Sequence, residues 1–199
     1  MAPEKPPVIE PSAIVDPTAK IGSGTRVWAF VQIGEKAEIG CDCVIGNGAY
    51  IDRSVKIGDR VRVHNKALLY HGLTIEDDVF VGPGACFTND PWPRAGLTRD
   101  MSEARWTVHQ GAVIGANATI LPDLSIGAHA VIGAGAVVTR SVPSHGLVYG
   151  NPARLRGAVC RCGSVIRDTE IPRKGKIYQC AFCAKEIPVF YPDQPKENV

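Results

Sequence analysis

Aliphatic residues recur along this chain with a period of six. Stepping from Ile9, they fall at Val15, Ile21, Val27, Ile33, Ile39, Ile45, Ile51, Ile57, Val63, Leu69, Ile75 and Val81 and end at Phe87. The register breaks after Asp90, restarts at Val108 and runs through Ile114, Ile120, Ile126, Ile132 and Val138. The fifth residue of each unit is nearly always small or branched and apolar, as at Ala13, Val31, Ala49, Ala67, Ala85, Ala112 and Ala136. Nine of the twenty second positions are glycine, which predicts tight turns that need its conformational freedom. β-Branched first positions suit strands. Each unit therefore reads as one short strand and one turn. One unit buries its two apolar side chains only if neighbours stack on it, which is the logic of a solenoid. A sandwich would alternate every two residues, and that pattern is absent. The expectation is an all-β parallel solenoid.

Composition narrows the picture. The 199 residues are 45% hydrophobic and 21% charged, the balance of a folded globular protein. Aromatics are only 7%, so the core must be aliphatic. A net charge of +2 argues against a dedicated nucleic-acid or membrane-surface protein. No apolar run approaches the roughly 20 residues of a membrane helix. The opening MAPEKPPVIEPS lacks the apolar stretch of a secretory signal. Seven cysteines, an odd number, fit a reducing cytoplasm better than a disulfide framework.

The aliphatic-Gly-x-x-small-x unit resembles the hexapeptide-repeat acyltransferases over about residues 9–155. The resemblance implies a left-handed parallel β-helix in which three units close a triangular coil of eighteen residues. It also implies acyl transfer from coenzyme A, and a homotrimer with active sites in the clefts between subunits. Handedness comes from the resemblance alone, because general rules favour right-handed crossovers.

The interruption PWPRAGLTRDMSEARWT, 91–107, reads as a projecting loop. A structureless stretch of this length inside a compact repeat is usually functional, although a tolerated insertion would look alike. Stacking at intervals of eighteen places Arg53, His71 and Asn89 in one column, with Asp52, Tyr70 and Thr88 beside it. Asn47, Asn65 and Pro83 form another. Glycine is replaced at the second positions His64, Tyr70 and Thr88, next to where the loop leaves. Local rules break at functional sites. The stretches 63–72, 87–90 and 91–94 are thus the candidate active site. His71 has the titration range of a general base, and Asn89 is placed to orient imidazole or acceptor. Arg53, His64, Asn65, Tyr70, Asp90 and Arg94 are candidate substrate-binding residues. A solvated turn histidine is the plain alternative for His71. His109, His129 and His145 read as structural.

The string NKALLYHGLTIEDDVFVGPGACFTND, followed by PRA, resembles one branch closely: bacterial nucleotide-sugar N-acetyltransferases. Examples act on UDP-2-acetamido-3-amino-2,3-dideoxy-glucuronate and on dTDP-3-amino-3,6-dideoxyhexoses. The resemblance implies acetylation of a sugar amine, with Asn65 and Asn89 at the sugar site. The glucuronate enzymes commonly carry Tyr-Glu-Gly where this chain has Tyr70-His71-Gly72, so the sugar stays open. Some members leave the proton to the departing thiolate, in which case His71 binds rather than catalyses. The resemblance further places Gly115, Ala116, Gly133 and Ala134 along the pantetheine arm of acetyl-CoA. Asn151, Pro152, Ala153 and Arg154 match the terminal motif, and Arg140 or Arg154 would meet phosphates. Capping of the solenoid end is the plain alternative.

Beyond Arg154 the register stops. Cys160 and Cys162, then Cys180 and Cys183, have the spacing of a structural four-cysteine zinc site in a ribbon over 156–192, between the solenoid and a tail at 193–199. Residues 1–8 are a second tail. So small a ribbon needs its metal to fold. A surplus of basic residues there permits nucleic acid, yet a nucleotide or a neighbouring subunit explains it as well. Cys41, Cys43 and Cys86 follow the repeat and read as packing residues.

Three rival functions fit less well. A γ-type carbonic anhydrase shares the solenoid but needs a histidine pair five apart, which positions 64, 71, 109, 129 and 145 do not supply. An acyltransferase for a sugar hydroxyl, an amino acid or an aminoglycoside would look similar. A non-enzymatic scaffold would have no need of the loop and the polar column.

Overall fold

The computed structural model describes residues 5–96, 106–166 and 177–190. The repeat folds into three parallel sheets that close a triangular prism. The first contains Val8–Ile9, Arg26–Val27, Val44–Ile45, Arg62–Val63, Phe80–Val81, Val113–Ile114, Val131–Ile132 and Gly146–Gly150. The second runs from Ile14–Val15 to Val137–Val138, and the third from Lys20–Ile21 to Ser125–Ile126. Register advances by one coil, as in Arg62 opposite Val44 and Leu69 opposite Ile51. Across the interruption Phe80 pairs with Val113, so the inserted residues leave the ladders intact. They depart at one corner, between the second sheet and the third.

First-position residues point inward and are buried from Val27 to Val138. Each such Ile, Leu or Val contributes about 1.5–3 kcal/mol of burial. The small fifth positions fill the angles of the triangle. Ile9, Val15 and Ile21 follow the same pattern but are exposed or half-buried, because no described residue stacks beneath the first coil. Trp106 is an addition that the repeat did not predict. It pairs with Leu73 and is 2% exposed, filling the corner where the inserted loop returns.

The glycines have a different purpose from the one expected. Left-handed backbone occurs at the fourth position, not the second. It is taken by Phe30, Lys36, Asp42, Ser54, Arg60, Lys66, Asp78, Asn117, Asp123 and His129, and by Gly24, Gly48 and Gly72. Second-position glycines serve close stacking instead. A Cβ on Gly115 would lie 2.5 Å from the Ala134 nitrogen, and one on Gly34 2.7 Å from the Arg53 nitrogen.

The outward residues distinguish the faces. The first sheet presents Val8, Arg26, Val44, Arg62, Phe80, Val113 and Val131, and the second Ile14, Gln32, Tyr50, Leu68, Cys86, Thr119 and Val137. The third presents Lys20, Glu38, Lys56, Thr74 and Thr107. Two adjoining faces are thus largely apolar and the third is polar.

At the far end Gly146–Gly150 turns back antiparallel to Ala153–Val159, which pairs with Val165–Ile166. This strand runs straight across residue 155, where the sequence had suggested a boundary. Ile177–Gln179 pairs with Glu186–Pro188. A second small core of Ala158, Cys160, Tyr178, Cys180, Ile187 and Val189 lies here. It is tied to the last coil through Ser144, whose N–H donates to the Phe190 carbonyl at 2.6 Å. The buried His145 ring donates from Nδ1 to the Val159 carbonyl at 2.8 Å. Of the expected loop at 91–107, Trp106 and Thr107 belong to a strand, 91–96 are exposed, and 97–105 lie outside the described residues. The same holds for 167–176 and 191–192 within the expected ribbon, for 1–4 of the N-terminal tail and for the tail at 193–199.

Candidate active site

At the corner where the loop leaves, Arg53, His71 and Asn89 follow three consecutive strands of the second sheet, as the column count predicted. Asp52 organises it. Its Oδ1 accepts the Arg53 N–H at 2.7 Å and the Tyr50 hydroxyl at 3.2 Å, while Oδ2 accepts the His71 N–H at 3.2 Å. Burial, and then the charge of Asp52, push the Tyr50 phenol up, so it stays a donor. Tyr50 and Tyr70 rest on each other with ring centroids 5.5 Å apart. Sequence reasoning placed Asp52 beside the column without giving it a role, and it missed Tyr50. The available signal was aspartate at a second position, where glycine is the rule.

The imidazole of His71 lies 2.9 Å, through Nδ1, from the carbonyl oxygen of Arg53. A carbonyl only accepts, so Nδ1 carries a proton, and in the neutral ring Nε2 keeps its lone pair. That is the tautomer a general base needs. Asn89 is half-buried one coil above, and its amide makes no hydrogen bond among the described residues. Asp90 accepts the Trp92 N–H at 2.8 Å and so opens the loop. Arg94 is exposed and, among the described residues, bonds to the carbonyl of Pro93.

The remaining candidates stand elsewhere. His64 and Asn65 lie at the preceding corner, one face away from His71. Gly115, Ala116, Gly133 and Ala134 continue that same corner toward the far end, and Tyr149 closes it, its Cβ 2.7 Å from where a Gly133 Cβ would be. Asn151 and Pro152 form the exposed tip of the hairpin, joined by a cis peptide. Arg154 is exposed and bonds to the Ala153 carbonyl, and Arg156 lies 5.7 Å from the Tyr149 ring centre. Arg140 belongs to the His71 corner, two coils beyond Asn89. One chain therefore carries Arg53, Tyr70, His71 and Asn89 on one corner, and His64, Asn65 and the small-residue edge on another. His109 occupies the third corner, held between Glu76 at 3.0 Å and the Ser125 hydroxyl at 3.1 Å.

The four cysteines converge. Their sulfurs all lie within 4.8 Å of one another, with Cys160–Cys183 at 3.5 Å and Cys162–Cys180 at 3.7 Å. A tetrahedron with zinc–sulfur bonds of about 2.3 Å has edges of about 3.8 Å, so the set fits zinc. Two knuckle turns build it: Gly163 N–H donates to Cys160 and Ala184 N–H to Cys180. The second spans one residue more, matching C-x-C against C-x-x-C. Backbone N–H groups of Cys183, then of Phe182, hold the Cys180 thiol down at about 6. At Cys160 the Cys162 N–H favours thiolate, but burial and the neighbouring sulfurs outweigh it and push the thiol up to about 12.

Comparison with known proteins agrees with this architecture. The family model "Bacterial transferase hexapeptide (six repeats)" matches residues 18–53, 36–71 and 107–140. A curated relative, dTDP-3-amino-3,6-dideoxy-alpha-D-galactopyranose 3-N-acetyltransferase of Aneurinibacillus thermoaerophilus, is 44% identical over 176 residues. The match spans 87% of this chain and 91% of that one. The chain belongs to the bacterial hexapeptide transferases. Among solved structures, PerB from Caulobacter crescentus, in complex with CoA and GDP-perosamine, matches at a TM-score of 0.51 and 27% identity. It covers 77% of this chain but 58% of PerB, less than two thirds of that protein. WeeI from Acinetobacter baumannii AYE matches at 0.51 and 26%, over 74% of this chain and 56% of its own.

Proposed function

We propose that this protein transfers the acetyl group of acetyl-CoA to the amino group of a nucleotide-linked amino sugar, of the 3-amino-3,6-dideoxyhexose kind on which its 44%-identical relative acts. The observation that carries the mechanism is the fixed tautomer of His71. The amine nitrogen attacks the thioester carbonyl, forming a C–N bond. The proton it sheds goes to Nε2 of His71. The C–S bond breaks, and the coenzyme A thiolate takes that proton to leave as a thiol. Asn89 offers an amide to orient the acceptor, and Arg53 and Tyr70 flank it. The Gly115–Ala134 edge, with so little side chain, lets the pantetheine arm lie against backbone.

Donor and acceptor must meet at about 3–3.5 Å, yet their residues occupy different corners of one chain. A second copy must therefore bring its edge to the His71 corner. The two apolar faces support this, since a closed ring needs two different patches on each subunit. We propose a homotrimer with His71 and the edge supplied by neighbouring chains. The test is complementation. Mixing His71→Ala chains with Gly133→Trp chains should restore about a quarter of the sites. No recovery from co-assembled chains would place both halves in one subunit. The transfer itself is tested by thiol release over a panel of dTDP- and UDP-amino sugars. Turnover with hydroxyl acceptors alone would overturn the N-acetyltransferase reading.

The cysteine geometry supports one structural zinc per chain. Four thiolates leave no open coordination position, so the metal holds the ribbon rather than the substrate. Four cysteines gathered as metal-type ligands, with Cys41, Cys43 and Cys86 following the repeat, suit a reducing, cytoplasmic setting. Among the described residues no helix is long and apolar enough to cross a membrane.

A further inference from the structure

Trp28, Gly46 and His64 stand above one another on consecutive coils, at the corner that leads into the Gly115–Ala134 edge. The middle level is bare by necessity. A Cβ on Gly46 would lie 2.5 Å from Asn65 Oδ1 and 2.9 Å from the His64 backbone. The two rings thus flank an empty level, a notch of about 250 Å³ lined also by Val44, Asn47 and Asn65. Two strand spacings separate the backbone levels that carry the rings by about 9.6 Å. A flat ring midway would be about 4.8 Å from each, within the 4.5–7 Å preferred by stacked aromatics. His64 is already held from its far side by Phe80, with ring centroids 4.6 Å apart. Trp28 is 40% exposed, a large apolar ring left open to a ligand.

The polar groups fit the same ligand. Asn65 Oδ1 accepts the Asn47 N–H at 3.0 Å, which turns the Asn65 amide NH2 outward as a donor for a keto oxygen. Arg26, Arg62 and Lys66 lie within two residues of the walls, and none makes an ion pair among the described residues. Cations this near in the chain to an aromatic notch suit a planar base that carries a diphosphate.

We propose that this notch stacks the nucleobase of the nucleotide sugar between Trp28 and His64, with Arg26, Arg62 and Lys66 around its diphosphate. The inference deepens the function proposed above and rests on it. It gives the two ligands opposite approaches along one corner. The nucleotide enters from the levels of the first coils, and coenzyme A lies along the later ones.

The experiment titrates the full chain with thymidine diphosphate, following tryptophan emission and calorimetric heat. Binding should quench emission. Trp28→Phe should keep affinity within about threefold, while Trp28→Ala and His64→Ala should weaken it by about five- to a hundredfold, the loss of one base–aromatic stack. Melting curves of the variants should overlay the parent, because the Trp28 ring is not core. In the transfer assay Trp28→Ala should raise KM for the nucleotide sugar and leave KM for acetyl-CoA unchanged. Thymidine diphosphate binding indifferent to Trp28→Ala would overturn the proposal. So would a rise in KM for acetyl-CoA alone, which would assign the notch to the adenine of coenzyme A. Binding that depends on Trp28, in a chain that transfers no acetyl group, would uphold the notch and overturn the enzymatic reading.

Discussion

A histidine works as a base only in the tautomer that leaves the right nitrogen bare, and at position 71 a carbonyl one coil below makes that choice. General-base groups supply about 10²–10⁴-fold. His71→Ala should therefore cut kcat for acetyl transfer at least about a hundredfold, with little change in KM for acetyl-CoA, as read by thiol release. If kcat survives and KM for the sugar rises, His71 binds and the thiolate takes the proton. Asp52→Asn tests positioning. It replaces one acceptor oxygen with a donor facing an N–H, and losing a hydrogen bond or two of about 0.5–1.5 kcal/mol should lower kcat about three- to tenfold. A second titration concerns the far end. Burial lowers the pKa of His129 and of His145 below 6.5. The unfolded chain then binds more protons in that range, so their contribution is present above 6.5 and lost as pH falls through it. Urea unfolding should show stability dropping from about pH 7.5 to about 5.5, and the double variant His129→Asn/His145→Asn should flatten that slope. Little of this was legible beforehand. Counting by eighteen located Arg53, His71 and Asn89, but the hydrogen bonds that set the tautomer run through backbone atoms that no residue name reveals.

At the scale of the coil, two sets of turn positions divide the labour. Second-position glycines let neighbouring coils touch, and fourth-position residues hold left-handed backbone. Gly115→Ala should lower stability by about 1–3 kcal/mol through overpacking, and the melting temperature by several degrees. Lys66→Gly should do the opposite on a smaller scale, because it removes the cost of a side chain at φ 59°. Differential scanning calorimetry of both variants checks the pair. The strands were plain in the sequence because their period never falters from Ile9 to Phe87. The left-handed positions were hidden, since Lys, Asp, Arg, Ser and even Phe occupy them. Trp106 was hidden because it follows an insertion, two residues before the register resumes.

At the scale of the molecule, the ribbon closes one end of the stack. Cys162→Ser, or removal of zinc by a chelator, should unfold that cap and lower the melting temperature while the solenoid keeps its β-type circular dichroism. Metal analysis should find one zinc per chain. The cysteine spacing announced this site, and the docking through Ser144 and His145 did not show in the sequence. The same is true of the split between corners. Residues one hexapeptide apart follow different faces, so His64 and His71, seven apart in the chain, stand at different corners.

At the other end, among the described residues, Val8–Ile9, Ile14–Val15 and Lys20–Ile21 pair only with the coil above them, and Ile14 is 69% exposed. Three unmatched ladders on a flat apolar triangle are a template for end-on polymerisation, as any open strand edge is. Proline, which donates no amide hydrogen, recurs around this rim at Pro6, Pro7, Pro11 and Pro17. The rim thus carries its own brake on fibre growth. Replacing these prolines with alanine should turn discrete particles into filaments visible by electron microscopy.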